Sequence, residues 1–359
     1  MAHTILLLSI AMTFSAHTSG PLQDDDPHSG TVLEPSMTPF DEVTSPAASS
    51  TPVNPSNGLN IAAGLTADTI SDQPACRPVH LVVLIHGLFG SSADLRNLAN
   101  AIRTNHPSIV LDLPEVNHGR TRSGIISQST GLFSHVTDKI QECRATHLSI
   151  IGHSLGGITG RFLVHILAEK KIIPDVVTPV HFITIATPHL GMLRWARGFM
   201  ACIATAAAFL FGPAFQELIL CDSVENPLLL EMTSDLFLRS LNLFKQRFTY
   251  GCARFDAIVS YESAGLNRIN PFELIDYGKK PRLLADKEEI PDLSIEDALK
   301  FHTQREETMM TNLNKLKWTK IAIVPIPSLS AHSDVVGKVR GESSIYCDNI
   351  IADIVHRFA

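Results

Sequence analysis

Several things this sequence lacks narrow its chemistry. Its six cysteines (Cys76, Cys143, Cys202, Cys221, Cys252, Cys347) are scattered, with no C-x-x-C pair and no Cys/His cluster at ligand spacing. That spacing argues against a structural zinc site and predicts mostly free, buried thiols. Lys and Arg are absent from the first 76 residues, which hold eight carboxylates. The remainder balances 29 basic against 28 acidic residues, so no net basic footprint is present for a nucleic-acid backbone and a nucleic-acid partner is not expected. No permitted N-x-[ST] sequon occurs, because Asn54-Pro55-Ser56 carries a proline at its centre. No internal repeat is visible. Charge is scarce at 18%, while 45% of the 359 residues are hydrophobic, enough to build a large core and to exclude a chain disordered throughout.

Residues 4–16 form a short apolar run closed by small and polar residues, and residues 1–16 read as a secretory signal with an n-region poor in basic groups. If that signal acts, the chain is secreted or endomembrane; otherwise it is cytoplasmic or membrane-associated. Residues 17–76 are rich in Ser, Thr, Pro and acid. They bury too little apolar surface to offset the entropy of ordering, so a disordered leader is expected. From Arg77 the pattern changes. Short apolar runs at residues 80–85, 108–111, 148–151, 180–185, 248–252 and 320–324 alternate with helical stretches at 92–103, 131–143 and 155–170. Buried runs separated by helices predict one α/β domain over residues 77–359, with a mostly parallel central sheet covered by helices on both faces.

The chemistry concentrates at Gly152-His153-Ser154-Leu155-Gly156-Gly157, between an apolar run and a helix. A G-x-S-x-G segment in that context is a sharp strand-to-helix turn that lifts a serine hydroxyl above a sheet. The serine's attack creates an oxyanion, which needs two N–H donors. One is expected from Leu155, the residue after the nucleophile, and the other from the glycine-rich loop His86-Gly87-Leu88-Phe89-Gly90, with Leu88 first and Phe89 as the alternative. His86 is read as a structural member of that loop. An acid and then a base should follow in chain order. Asp256 lies just past the 248–252 run and His332 after the 320–324 run, with His302, His189 and His356 competing for the base and Asp276 or Asp222 for the acid.

Residues 83–98 (VLIHGLFGSSADLRNL), 152–161 (GHSLGGITGR), 182–191 (FITIATPHLG), the 255–263 stretch and Ala331-His332 together resemble the serine esterase family that includes the yeast ROG-type lipid hydrolases and their plant relatives, within the α/β-hydrolase superfamily. The resemblance implies an α/β-hydrolase fold, the acid at Asp256, the base at His332 and lipid-like ester substrates. Thr187-Pro188-His189-Leu190-Gly191 would then be scaffold of the site's rim. Ala257 and Ser333 stand where relatives commonly carry His or Phe and Asn.

The expected activity is therefore a serine carboxylic ester hydrolase, lipase- or esterase-like, with catalytic Ser154, Asp256 and His332, oxyanion donors Leu88 and Leu155, and no metal or organic cofactor. Acyl transfer or thioester cleavage by the same triad, or a catalytically silent lipid-binding protein, are the alternatives. The uncharged run at 199–215, preceded by Arg194, Trp195 and Arg197, reads as a buried helix, as an apolar lid touching a membrane through residues 194–215, or as a short span.

Overall fold

The computed structural model describes residues 78–192, 208, 210–272, 282–285, 303–324, 330–338 and 345–359. The expected signal and leader, Cys76, Cys202, most of the 194–215 run, Asp276 and His302 lie outside the described residues.

Seven strands form one sheet: β1 His80–Ile85, β2 Val110–Asp112, β3 His147–His153, β4 Thr178–Ile185, β5 Gln246–Cys252, β6 Arg282–Ala285 and β7 Thr319–Val324. Their spatial order is β2-β1-β3-β4-β5-β7-β6. Every pairing is parallel except β6 with β7. The mostly parallel, doubly covered sheet follows from near-continuous apolar strands, since such strands need both faces buried. Alternation along β1 shows how: Leu81, Val83 and Ile85 enter one core and Val82 and Leu84 the other.

The first core is covered by α2 (Ile125–Cys143), α3 (Leu155–Glu169), α6 (Asp235–Asn242) and α8 (Gln304–Leu313). The second is covered by α1 (Arg96–Asn105) and α10 (Ile345–His356). Four short helices, α4 (Pro213–Leu218), α5 (Leu228–Glu231), α7 (Tyr261–Gly265) and α9 (Ala331–Asp334), occupy the connections.

Two departures from the sequence-based reading have simple causes. The helix expected from residue 131 starts at Ile125, behind Gly124 at φ 95°. Gly131 is no boundary; it sits inside α2 where a side chain would press on Val116. The antiparallel β6 was not expected. Its register, Arg282 opposite Val324 and Ala285 opposite Ile321, is supplied by β7 some forty residues away, and a four-residue strand carries little periodic signal of its own.

The thiols are only partly as expected. Cys143, Cys221, Cys252 and Cys347 are free, but only Cys252 and Cys347 are buried, and Cys221 is exposed after the turn that ends α4. Among the described residues no helix is long and apolar enough to cross a membrane, and no group of His, Cys, Asp and Glu could hold a metal ion.

Beneath the sheet, α3 buries Arg161, which meets no counter-ion among the described residues. Its Nη1 donates to Nδ1 of His189 at 3.3 Å, while Nε and Nη2 have no partner among those residues. Because a guanidinium only donates, His189 must accept at Nδ1 and carry its proton on Nε2, which donates to Thr184 Oγ1 at 2.9 Å. Thr184 passes the series on to the carbonyl of Phe248. His189 is thus a fully buried neutral imidazole of the scaffold, its pKa driven well below 6.5 by burial and by Arg161. Burial lowers the Arg161 pKa to about 9. An unpaired buried charge is costly and an apolar replacement of similar volume often stabilises. Arg161→Met is expected to raise the unfolding free energy at pH 7 by on the order of 1 kcal/mol, measured by urea denaturation; a destabilised variant would mean that the guanidinium contributes net stability.

Candidate active site

At the end of β3 the chain must turn into α3 within one residue. Ser154 makes that turn at φ 55°, ψ −128°, in the left-handed half of the map that side chains avoid. The bend closes because nothing stands in its way. A Cβ on Gly152 would lie 2.4 Å from the Cα of Gly157, and one on Gly156 would lie 2.2 Å from the carbonyl oxygen of Ile85. The start of α3 therefore rests directly on the ends of β1 and β3, which aims the serine outward.

The loop after β1 runs against the same serine: a Cβ on Gly87 would stand 2.8 Å from the Cβ of Ser154. The N–H groups of Leu88 and Leu155 make no hydrogen bond among the described residues. Phe89, at φ 55°, donates its N–H to Thr121 Oγ1 at 2.9 Å. The alternative donor is thus engaged, and Leu88 and Leu155 are the free pair beside Ser154. His86 is buried in this loop. Its Nδ1 bonds the Gly87 carbonyl, and burial lowers its pKa.

His332 reaches Ser154 from α9, 178 residues further along the chain. Its Nε2 lies 2.9 Å from Ser154 Oγ and its Nδ1 lies 2.8 Å from Asp256 Oδ2. A carboxylate only accepts, so Nδ1 carries the proton and Nε2 offers a lone pair to the serine hydroxyl. Asp256 itself is held by the backbone, its Oδ1 accepting from Ile258 N at 2.8 Å and Val259 N at 2.9 Å. Its side chain is 1% exposed and that of His332 is 9%, a setting in which water competes little for these bonds. Of the competing residues, His189 is in the scaffold. His356 ends α10, at the far end of the sheet, and Asp222 accepts the N–H of Leu228 at the start of α5.

Three ties hold the His332 loop. Asn97 Nδ2 donates to the carbonyl of Gly337 at 2.7 Å, and Lys338 pairs with Asp94 at 2.8 Å. The third tie involves a residue that sequence reasoning passed over. His153 Nε2 lies 2.9 Å from the carbonyl oxygen of His332, with the two rings 5.1 Å apart. A carbonyl only accepts, so His153 donates from Nε2. Its identity was in view as the second residue of the elbow motif; its contact, 179 residues away, was not. Cys252, at the end of β5, was also missed: its buried thiol bonds Asp256, and burial followed by that carboxylate raises its pKa well above 9.0.

At the mouth, Phe89 lies edge-on to Phe211 with ring centroids 6.3 Å apart, and Phe211 packs on Phe215. Arg122 donates to the carbonyls of Leu210 and Phe211. The C-terminal end of the uncharged run thus meets the loop after β1, and Leu210 there is 75% exposed.

A parallel sheet of this order, with helices on both faces and a serine on the β3–α3 bend, defines the α/β-hydrolase fold. Residues 76–268 match the family described as putative serine esterase (DUF676), and the chain belongs to that family. Two relatives in Saccharomyces cerevisiae are similar to it. Putative lipase YDL109C is 31% identical over 196 residues, covering 52% of this chain and 30% of the relative. Putative lipase ROG1 is 30% identical over 201 residues, covering 52% and 28%. The chain thus spans less than a third of either yeast protein. Among solved structures, carboxyl esterase 2 from the mycorrhizal fungus Tuber melanosporum is similar at 12% identity with a TM-score of 0.44, over 78% of this chain and 77% of that one.

Burial, with His332 next, lowers the His153 pKa from 6.5 to about 3. The unfolded chain therefore binds the extra proton between those values, and the stability that a neutral His153 allows is complete above pH 6.5 and is lost as pH falls toward 3. Glu217 acts in the opposite sense. Burial raises its carboxyl from 4.5 to about 7, so the folded state binds the extra proton and stability declines as pH rises through that range. Comparison with His153→Gln, which keeps a side-chain N–H donor without titrating, isolates the histidine. Above pH 6.5 the difference in unfolding free energy should be constant, and below it the wild type should lose about 1.4 kcal/mol per pH unit relative to the variant. A difference independent of pH would mean that this imidazole titrates normally.

Proposed function

We propose that this chain is a serine hydrolase of carboxylic esters, its substrates lipid-like acyl esters, working through an acyl-enzyme. The observation that carries the reading is the unbroken hydrogen-bond series from Ser154 through His332 to Asp256, seated on the bend beside two free backbone N–H groups.

Ser154 Oγ attacks the ester carbonyl as its proton passes to His332 Nε2. Asp256 keeps the imidazole in the tautomer that can accept this proton and stabilises the imidazolium that results. The carbonyl oxygen becomes an oxyanion, and the N–H groups of Leu88 and Leu155 supply fixed dipoles that require no reorganisation at the moment of reaction. Collapse of the tetrahedral intermediate breaks the ester C–O bond, and His332 returns the proton to the departing alcohol. Water then loses a proton to the same nitrogen, attacks the acyl carbon, and releases the carboxylic acid and free Ser154.

The substrate class rests on the rim and on the family. Phe89 and Phe211, with exposed Leu210, form an apolar lip beside the donor loop, suited to an acyl chain and to peripheral contact with a lipid surface. The two yeast relatives bear the name lipase.

Labelling with a fluorophosphonate probe tests the nucleophile: wild type should label, and Ser154→Ala should neither label nor hydrolyse p-nitrophenyl esters while retaining its melting temperature. Asp256→Asn should lower kcat by roughly 10⁴, the scale of the corresponding change in serine proteases. Wild-type activity in either variant would defeat the proposal. Hydrolysis rates for short- against long-chain esters, with and without detergent, test the lipid assignment, and a uniform preference for short, soluble esters would remove it.

A further inference from the structure

The end of the sheet opposite Ser154 carries a second depression, about 460 Å³ in volume, whose lining includes Lys245, Arg247, Lys317, Thr319, His356 and Arg357. It lies at the amino ends of β5 and β7. The seven residues of β5 alone separate it from the Asp256 end by about 20 Å. Two strands start at this wall and α10 ends beside it.

Its cations have few partners. Arg357, beside the negative end of α10, is neutralised by Asp353 at 2.8 Å and lies over the Phe248 ring at 4.9 Å. Arg247 is different. Buried to 92%, it donates Nε to the carbonyl of Lys317 at 3.0 Å and Nη1 to the carbonyls of Leu241 and Phe244. No carboxylate meets it among the described residues, and its Nη2 makes no hydrogen bond. Lys245 and Lys317 are exposed and likewise have no ion pair among the described residues. Three cations thus line one cavity, none of them paired with a carboxylate among the described residues. Nearby His181 has its pKa lowered by burial first, against a hydrogen bond with Gln246 that raises it, and further by Lys245 and Arg357.

We infer that this cavity is an anion site, built to take a phosphate group: Arg247, fixed by three carbonyls, presents an unused guanidinium edge, and Lys245 and Lys317 close on the anion from the rim. A guanidinium held in place loses little entropy when it binds phosphate, and paired ammonium groups add point charges. The phosphate could be borne by a soluble phosphate ester or by a lipid headgroup; the chemistry recognised is the same.

The test uses the full chain and does not depend on the esterase reading. Isothermal titration with inorganic phosphate and with glycerol phosphate is compared with flotation on phosphatidylcholine vesicles with and without phosphatidic acid. Saturable binding is expected, weakening as salt rises. In the double variant Lys245→Glu, Lys317→Glu affinity should fall at least about tenfold, with melting temperature and p-nitrophenyl ester hydrolysis unchanged, since neither lysine is near Ser154. Binding to the soluble esters alone assigns a soluble ligand, and retention only on phosphatidic acid vesicles assigns a headgroup. Absence of saturable binding in both arms, or equal affinity in wild type and variant, overturns the inference.

Discussion

The site depends on a close approach of backbone to backbone. The first turn of α3 lies against the ends of β1 and β3 with no side chain between them, because a single methyl at Gly152 or Gly156 would fall within 2.4 Å of main-chain atoms. Packed interiors do not absorb an overlap of that size. The strained dihedrals of Ser154 are therefore imposed by the fit of the helix on the sheet, and the same fit brings the Gly87 loop against the serine. Ser154 and the Gly87 loop are positioned by one contact, so that neither can shift without the other.

A second constraint concerns the protonation of the buried rings. Three imidazoles near the bend each have a tautomer dictated by a neighbour of fixed role: His332 by a carboxylate on Nδ1, His153 by a carbonyl on Nε2, His189 by a guanidinium on Nδ1. Only His332 is left with a lone pair facing a hydroxyl. Burial drives the other two far from protonation, so they add hydrogen bonds without adding charge. His153 donates to the carbonyl of His332 itself, while Asn97 and Asp94 anchor the same loop through Gly337 and Lys338. The position of His332 is thus fixed from three directions, the support that the proposed role of this ring calls for.

Much of this was legible in the sequence where a residue's meaning is local. The elbow announces itself by small residues around a serine after an apolar run, and Asp256 and His332 by their position just past strand ends in a sheet with a known chain order of groups. The parallel sheet follows from the apolar runs themselves. What escaped depends on partners remote in sequence. Nothing near Arg282 signals that β7 will pair with it in reverse, and nothing near Arg161 signals that no carboxylate among the described residues will meet it. His153 reads as an ordinary motif residue until its contact 179 positions away is seen. Leu88 was preferred to Phe89 as the loop's donor on position alone; that Thr121 takes the N–H of Phe89 was not visible in the sequence. The even balance of charge in the body likewise conceals where the charges sit.

In a parallel sheet all chemistry borne on the loops after the strands gathers at one end, and whatever precedes the strands gathers at the other. Here the two ends differ in the groups they gather. The Ser154 end holds His153, His332 and the buried carboxylate of Asp256, with Asp94 paired to Lys338 close by. The other end concentrates Lys245, Arg247 and Lys317 over a cavity. Seven residues of β5 and the apolar cores on either face lie between them, and at such a separation, with water and salt around the rim, the cations exert little pull on the chemistry of the serine. A cationic cluster close to the nucleophile would bind the carboxylate product and slow its release. At the far end of the sheet it is free to recognise an anion for a purpose separate from catalysis.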